Sequence, residues 1–516
     1  MFNYGKDNLT TGKVLQILRG DLQARIDVPT RKKIHKCYDE VVFIAQNEAA
    51  VYGINTGFGP LCNTKISKDK TKQLQRNILL SHSVGVGEPV AKDISKLMLI
   101  LKVHALSQGF SGIAPEVLDR IILMIENDII PVVPEQGSVG ASGDLAPLSH
   151  LFLPLIGEGK VFYNNKITNT SNVYKKLKIQ PLELGPKAGL ALINGTQFIA
   201  AHAVMVVEKL HTCLAHADII AAMMIEGLKG SSSPFLQELH AIRPYKGNVH
   251  VAKRVHYFLK GSQIAKSHKD CDRVQDPYSM RCVPQVHGAS RNAWLHLKEC
   301  VEIEINSVTD NPVVFSKDFT ISGGNFHGQP LALPLDYACL AAAELGNISD
   351  RRSYLSLEGN YGGVPKLLMK DTGVNSGFMI LQYTGAALVS ENKGLCFPAS
   401  ADSIPTSLGQ EDHVSMGSIG GRKALKVCNN LVNILAIEML CAAQAIDFQR
   451  PLSTSKILEQ VHVEIRNNIT HATEDRIFSK DIEKAAKLLE SKKLIAITQK
   501  ASRSVKSEFE NIFEKY

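Results

Sequence analysis

Apolar residues recur at helical spacing through most of the chain. The stretches KLMLILKVHALSQ (96–108) and PEVLDRIILMIEND (115–128) carry apolar positions every three to four residues, which predicts amphipathic or buried helices. Pro115 suits a first helical turn, where no backbone N–H is needed. Two longer stretches, AVMVVEKLHTCLAHADIIAAMMIEGL (203–228) and ALKVCNNLVNILAIEMLCAAQAID (424–447), are apolar on nearly every side. Helices of that kind are wrapped by other helices, so these two are expected at the centre of a bundle. A further long helix is expected over 334–356, opening at Pro334, and SKDIEKAAKLLESKK (479–493) reads as a peripheral amphipathic helix. Strands are sparse, with NPVVFSKDFTISGG (311–324) the best hairpin candidate.

Loops rich in Gly, Pro and Asn separate these helices, at 52–64, 137–150, 194–197, 274–285, 309–312, 322–330 and 398–417. Beyond residue 465 the chain turns polar and charged. The pattern predicts a mainly α protein. An N-terminal domain is expected over 1–200, a central long-helix bundle with its loops over 201–465, and peripheral helices over 466–516. In such a bundle, sites form where loops and helix ends converge.

Composition narrows the class. The chain has 516 residues, 44% hydrophobic and 21% charged, as expected for a globular protein with a large core. One tryptophan, Trp294, and 6% aromatic residues leave the core to aliphatic packing. The formal net charge of +8 is spread out, with small clusters at Arg31-Lys32-Lys33 and Lys492-Lys493. No run of like charge marks a nucleic-acid-binding arm, so a solvated basic surface is expected, with a mild field favouring a small anionic substrate. The ten cysteines, at 37, 62, 213, 271, 282, 300, 339, 396, 428 and 441, form no C-x-x-C, which points to reduced thiols rather than a zinc or redox motif. The N-terminus lacks the apolar core of a secretory signal, and no uninterrupted apolar run is long enough to span a bilayer. A cytoplasmic protein without membrane, nucleic-acid or metal partners is expected.

The stretch GSVGASGDLAPLSH (137–150) is crowded with small residues. It is no Walker loop, because it contains no lysine. Its glycines, at 137, 140 and 143, miss the dinucleotide-binding spacing, and the two prolines just before it suit no central strand. A nucleophile elbow requires glycine where Asp144 stands. What remains is Ala141-Ser142-Gly143. Unshielded backbone there would let the Gly143 nitrogen reach the Ala141 carbonyl carbon and close a five-membered ring. Loss of one water in closure and another from the Ser142 side chain would leave a conjugated methylidene, an electrophile made from the chain. Taken alone, so common a tripeptide reads more simply as a flexible Gly/Ser turn.

The whole stretch, with the other loops in order, resembles the signature of the aromatic amino acid ammonia-lyases and aminomutases from about residue 10 to 480. In that family Ala-Ser-Gly cyclises to 4-methylidene-imidazol-5-one (MIO), so the resemblance implies a self-formed MIO from Ala141, Ser142 and Gly143 and no external cofactor. It further implies a long-helix bundle of the ammonia-lyase, fumarase/aspartase-like type with an N-terminal MIO-bearing domain. The assembly implied is a homotetramer with active sites shared between subunits. VYGINTGFG (51–59) resembles the family's tyrosine loop, which makes Tyr52 the general base for a β-proton. A phenol ordinarily titrates near 10, so that role needs a donor-rich or cationic setting. VQDPYSMRCVPQ (274–285) supplies Gln275, Tyr278 and Arg281. The resemblance assigns Arg281 to the substrate carboxylate, a task that suits a planar fork of donors, and Tyr278 to the proton-transfer chain. By the same resemblance Asn194 in LALINGTQ bonds the carboxylate or the MIO carbonyl, Phe326 in SGGNFHG shapes the pocket, and Asp144 assists ring formation. A helix N-cap is the simpler reading of Asp144 and is compatible with that role.

Two further features concern the substrate side chain. Ser81-His82 resembles the pair typical of histidine-specific members, where tyrosine lyases carry His-Leu and phenylalanine lyases Phe-Leu. Glu411, in GQEDHVSMG, stands where those members carry glutamate and the others usually glutamine. A carboxylate can hold an imidazole by hydrogen bonds but is poorly placed beside a phenyl ring. The expected reaction is conversion of L-histidine to trans-urocanate and ammonia, the first step of histidine degradation. A tyrosine or phenylalanine lyase or an aminomutase is the nearest alternative, and a non-catalytic helical or nucleotide-binding protein the alternative of another class. Ala188 and Gln329, where glutamate is common, and Gly409, where asparagine is frequent, depart from the usual pattern.

Overall fold

The structure, a computed structural model, describes residues 1–47, 51–57, 59, 66–67, 70–268, 273–501 and 511–516. Cys62, Cys271, Phe58 and the end of the 52–64 loop lie outside the described residues. The chain is mainly α, with a few strands of two to four residues in four small sheets among the described residues. The local signals act as their chemistry dictates. The Thr10 hydroxyl accepts from the Lys13 N–H to open the helix Thr11–Arg19, and Gly20 closes it in the left-handed region at φ +83°. Asp27 caps Val28–Gln46 in the same way, and Ser455 caps Lys456–Asn468. The helix Pro115–Glu126 begins at its proline, and Val313–Ser316 pairs antiparallel with Phe319–Ile321 as a hairpin.

The helix expected to open at Pro334 instead runs Gln329–Leu357, with the proline inside it. The Leu331 and Ala332 N–H groups both donate to the Gly328 carbonyl, so the first turn forms upstream. Pro334, in the second turn, removes the N–H that would have met the Pro330 carbonyl, and the helix continues through it.

The chain forms two compact units. Unit 1 comprises 1–205, 298–336 and 398–422; unit 2 comprises 206–297, 337–397 and 423–516. In unit 1, the helices Thr71–His82, Lys92–Leu106, Pro115–Glu126, Leu145–Phe152 and Ala188–Ile193 carry the loops described below. Among these, Leu97 to Leu101 are all buried. The segment with two prolines forms no central strand: Ile130–Pro131 is the outer strand of a three-stranded sheet and Pro134–Gln136 belongs to a two-stranded one.

Unit 2 is centred on long helices whose apolar faces are buried on all sides. Residues 206–227 of Gln197–Gly227 pack with Val283–Glu304 through Trp294, whose indole N–H donates to the Val207 carbonyl at 2.8 Å, and through Asp218, which pairs with Arg291 and His287. Gly227 lies so close to Ala445 of Gly417–Asp447 that an added Cβ would stand 2.7 Å from that side chain. Arg352 and Glu438, both fully buried, tie Gln329–Leu357 to the same helix, and Ser349 also donates to Glu438. Gln197–Gly227 and Gly417–Asp447 are long and apolar enough to cross a membrane, yet 83% and 78% of their most apolar windows are buried within the protein. Their composition is therefore that of core helices. The eight described cysteines are free thiols, five of them buried, and burial pushes Cys37 up to about 11 and Cys428 and Cys441 up to about 12.

Candidate active site

In unit 1, five loop or helix-end positions converge on one cavity of about 460 Å³, a size suited to a single small ligand. Tyr52 reaches it from the turn after Val28–Gln46, and His82 from the last residue of Thr71–His82. Ser142 comes from the turn before Leu145–Phe152, Asn194 from the C-cap of Ala188–Ile193, and Glu411 from the loop before Gly417–Asp447. Leu74, Ile78, Leu190 and Ile193 supply its apolar wall.

Ser142 sits at φ +49° and Gly143 at φ +81°, two successive left-handed residues that turn the backbone sharply. A side chain at Gly143 has no room, because an added Cβ would lie 2.1 Å from the Gly195 carbonyl oxygen. The two strands of chain clasp each other. The Asp144 N–H donates to the Gly195 carbonyl at 2.8 Å, the Gly195 N–H to the Ser142 carbonyl at 3.3 Å, and the Asn194 side-chain amide to the same Ser142 carbonyl at 3.0 Å. Downstream, the Met416 N–H donates to the Val139 carbonyl and the Ser418 hydroxyl to the Ser138 carbonyl, and Ala141 packs on Val414 and Met416.

The Ser142 hydroxyl donates to Glu411 Oε1 at 2.5 Å. The other carboxylate oxygen of Glu411 accepts from the Thr406 and Ser407 hydroxyls, at 3.1 and 3.0 Å, so three hydroxyls orient this anion. His82 Nδ1 lies 3.0 Å from the Ser81 hydroxyl. Burial pulls the His82 imidazole below its ordinary value while the nearby Glu411 charge opposes the shift, which favours a neutral ring able to donate or accept. The Gly59 N–H donates to the Tyr52 phenol oxygen at 3.4 Å, a donor of the kind an anionic phenolate needs.

Asp144 occupies the N-cap position of Leu145–Phe152 but makes no side-chain bond to that helix. Its Oδ2 accepts from the Phe198 and Ile199 N–H groups, both at 3.0 Å, in the first turn of Gln197–Gly227, and its Oδ1 from the Ser138 hydroxyl at 3.2 Å. The capped helix is thus a different one from that expected. Complete burial still lifts this carboxyl to about 7, against the lowering effect of its three donors.

The remaining expected residues lie elsewhere. Phe326, half-buried, stands in the turn before Gln329–Leu357 and does not line the cavity; its neighbour His327 packs edge-on against His413 at 5.7 Å. Gln275, Tyr278 and Arg281 belong to unit 2, where Gln275 and Arg281 line a second cavity of about 620 Å³ with Arg273, Asp276 and His256. Tyr278 is 72% exposed, the Arg281 guanidinium stacks on its ring at 4.6 Å, and the buried Arg281 Nε has no partner among the described residues.

Of the three departures from the family pattern, Gly409 has a backbone explanation. Gly409 has φ +83° and open space around it, a conformation that asparagine also tolerates, so the exchange is a backbone one. Ala188 is buried at the start of its helix, beside a fully buried pair, Lys187 and Asp310 at 2.7 Å. Gln329 leaves a buried side-chain oxygen without a partner among the described residues, and nothing in the structure explains that exchange.

A residue that the loops did not reveal lies behind the Asn194–Gly195 strand. Lys102, 1% exposed, donates from Nζ to the Asn194 carbonyl at 2.6 Å and to Gln197 Oε1 at 3.4 Å. The available signal was a single cation inside the apolar run LMLILKVHAL.

The family model "Aromatic amino acid lyase" matches residues 9–467. The chain belongs to this family. Among aromatic amino acid lyase relatives, histidine ammonia-lyase of Natranaerobius thermophilus is 41% identical over 508 residues, covering 98% of this chain and all of the relative. The crystal structure of histidine ammonia-lyase from Trypanosoma cruzi superimposes with a TM-score of 0.90 at 38% identity, over 99% of this chain and 96% of that one. Tyrosine aminomutase from Streptomyces globisporus gives a TM-score of 0.91 at 33% identity, over 97% and 99%. The aromatic amino acid lyases are the MIO-dependent group, and the chain is accordingly a carbon–nitrogen lyase.

Proposed function

We propose that the protein removes ammonia from L-histidine without oxidation, giving trans-urocanate, and that it makes its own electrophile from Ala141-Ser142-Gly143. The observation that carries the reading is the placing of Glu411 and His82 on the wall of the cavity that holds Ser142, with Glu411 at 2.5 Å from the Ser142 hydroxyl. The names and coverage of the relatives support it.

The residues present fit an MIO group. Ring closure by the Gly143 nitrogen on the Ala141 carbon leaves the Ser142 carbonyl as the ring carbonyl, and that oxygen already faces two donors, the Asn194 amide and the Gly195 N–H. Once formed, the group supplies an electrophilic carbon that draws electrons from the substrate. The side chains do the rest. Glu411 holds the substrate imidazole, with His82 beside it. Tyr52 removes the β-proton, helped by the Gly59 N–H that faces its oxygen. Asp144 fixes the turn for cyclisation by anchoring it to the start of Gln197–Gly227. Asn194 holds the ring carbonyl, and Phe326 shapes the approach to the pocket.

Gln275, Tyr278 and Arg281 complete the site from a neighbouring copy in a homotetramer, Arg281 taking the substrate carboxylate. The exposed Tyr278 and an exposed apolar stripe on Gln329–Leu357, formed by Leu333, Tyr337 and Leu340, favour such an assembly. A cytoplasmic setting accords with the free thiols.

The test is product analysis after separate incubation with histidine, tyrosine and phenylalanine. Urocanate and ammonia from histidine alone are expected. Coumarate or cinnamate in their place, or a β-amino acid, would overturn the substrate assignment.

A further inference from the structure

We propose that Lys102 is a positioning residue for the electrophile, its ammonium clamping and polarising the Asn194–Gly195 peptide whose N–H faces the Ser142 carbonyl oxygen. This rests on the reading that Ala141-Ser142-Gly143 cyclises.

A lysine in the middle of an apolar helix opposes folding unless something requires it. Lys102 lies in Lys92–Leu106 between Leu101 and Val103, both buried. Its neighbour Lys187 shows what a structural buried lysine looks like, paired directly with Asp310 at 2.7 Å. Among the described residues, Lys102 instead bonds two neutral oxygens, the Asn194 carbonyl and Gln197 Oε1. Gln197 is itself held, donating to the Thr309 hydroxyl at 2.9 Å. Burial brings Lys102 down to about 7, with the charges of Asp310 and Asp144 favouring the ammonium and that of Lys187 opposing it.

The bonds form a continuous line. The Lys102 ammonium donates to the Asn194 carbonyl at 2.6 Å, and the N–H at the other end of that peptide, on Gly195, donates to the Ser142 carbonyl at 3.3 Å. A charge-assisted bond to a carbonyl strengthens the donor on the far side of the same peptide. The Ser142 oxygen is where electron density collects at two stages. The first is loss of the Ser142 α-proton as its hydroxyl departs, the pair leaving as water. The second is addition of a nucleophile to the methylidene carbon, when the electron pair moves toward the ring carbonyl. Preorganised donors at such an oxygen act on rate rather than on substrate affinity.

The test uses full-length parent, Lys102→Gln, which keeps a donor without the charge, and Lys102→Met. Intact mass reports the fraction of chains lacking two waters, and thermal unfolding reports folding. The dehydrated chains are then treated with cyanide. Its carbon bonds to the methylidene carbon and a proton from water joins the ring, so the mass rises by one HCN. Lys102→Gln should unfold at the parental temperature yet add cyanide more slowly, with kcat for histidine lower by about tenfold or more and KM unchanged. A folded variant that remains two waters heavier supports the proposal as well, because loss of the Ser142 α-proton needs the same oxygen. Parental cyanide rates and kcat in dehydrated Lys102→Gln would overturn it, as would a fall in unfolding temperature alone. If Lys102→Met does not fold, Lys102→Gln decides. A parent chain that has lost no water would instead overturn the cyclisation reading itself.

Discussion

Replacing Asp144 by asparagine separates the charge of this side chain from its shape. The amide oxygen can accept from the Phe198 and Ile199 N–H groups as the carboxylate does, and the amide nitrogen can donate to the Ser138 hydroxyl. What disappears is titration. Burial raises the Asp144 carboxyl from 3.8 to about 7. Between these values the folded chain keeps a proton that the unfolded chain has released, so this group's contribution is full below its unfolded value and is lost as pH rises through its folded one. Each pH unit in that window corresponds to about 1.4 kcal/mol. From about pH 5 to pH 8 the parent should therefore lose about 3 kcal/mol that Asp144→Asn does not lose. Urea unfolding of both proteins at intervals across that range reads the difference directly, since other titrating groups are shared. The gap should move toward the variant as pH rises and level off above 7. A gap independent of pH would refute the reasoning, by showing that this carboxyl is already ionised at the bottom of the range.

Two further predictions concern Gly143 and Glu411. Gly143→Ala places a Cβ 2.1 Å from the Gly195 oxygen in a left-handed residue. It should destabilise unit 1 by about 3 kcal/mol, from backbone strain together with weakened bonds between the two chain segments, as a lower unfolding temperature would show. Glu411→Gln removes an anion that the Thr406 and Ser407 hydroxyls still orient once the Ser142 hydroxyl has been lost. It should lower kcat/KM for histidine about 10- to 100-fold, the loss of a charge-assisted bond, while intact mass still shows dehydration; an unchanged kcat/KM would remove Glu411 from substrate recognition.

Local chemistry in this chain was legible where one segment decides its own conformation. The periodic runs became helices, Pro115 opened its helix, and the alternating stretch after Pro312 became a hairpin. Pro334 misled because its effect depends on where the first turn begins, and Gly328 sets that five residues earlier than expected. The helix capped by Asp144 could not be read locally, since the Phe198 and Ile199 N–H groups are more than fifty residues away in sequence. Nor does composition reveal that 298–336 and 398–422 join the first 205 residues in one unit. For the candidate site, the loops indicated Tyr52, His82, Ser142, Asn194 and Glu411, and these line one cavity. Lys102 was hidden because a lysine in a helix is ordinarily a surface residue, and only the three-dimensional fold shows it sealed behind Asn194.

Closure of the backbone on itself at Ala141-Ser142-Gly143 would change the mass of the chain. The intact mass of the purified chain, set beside that of Ser142→Ala, reads this change. The parent should be lighter than its sequence by two waters, and the variant should show neither that deficit nor urocanate production. A parent of full sequence mass that still converts histidine to urocanate would contradict this closure.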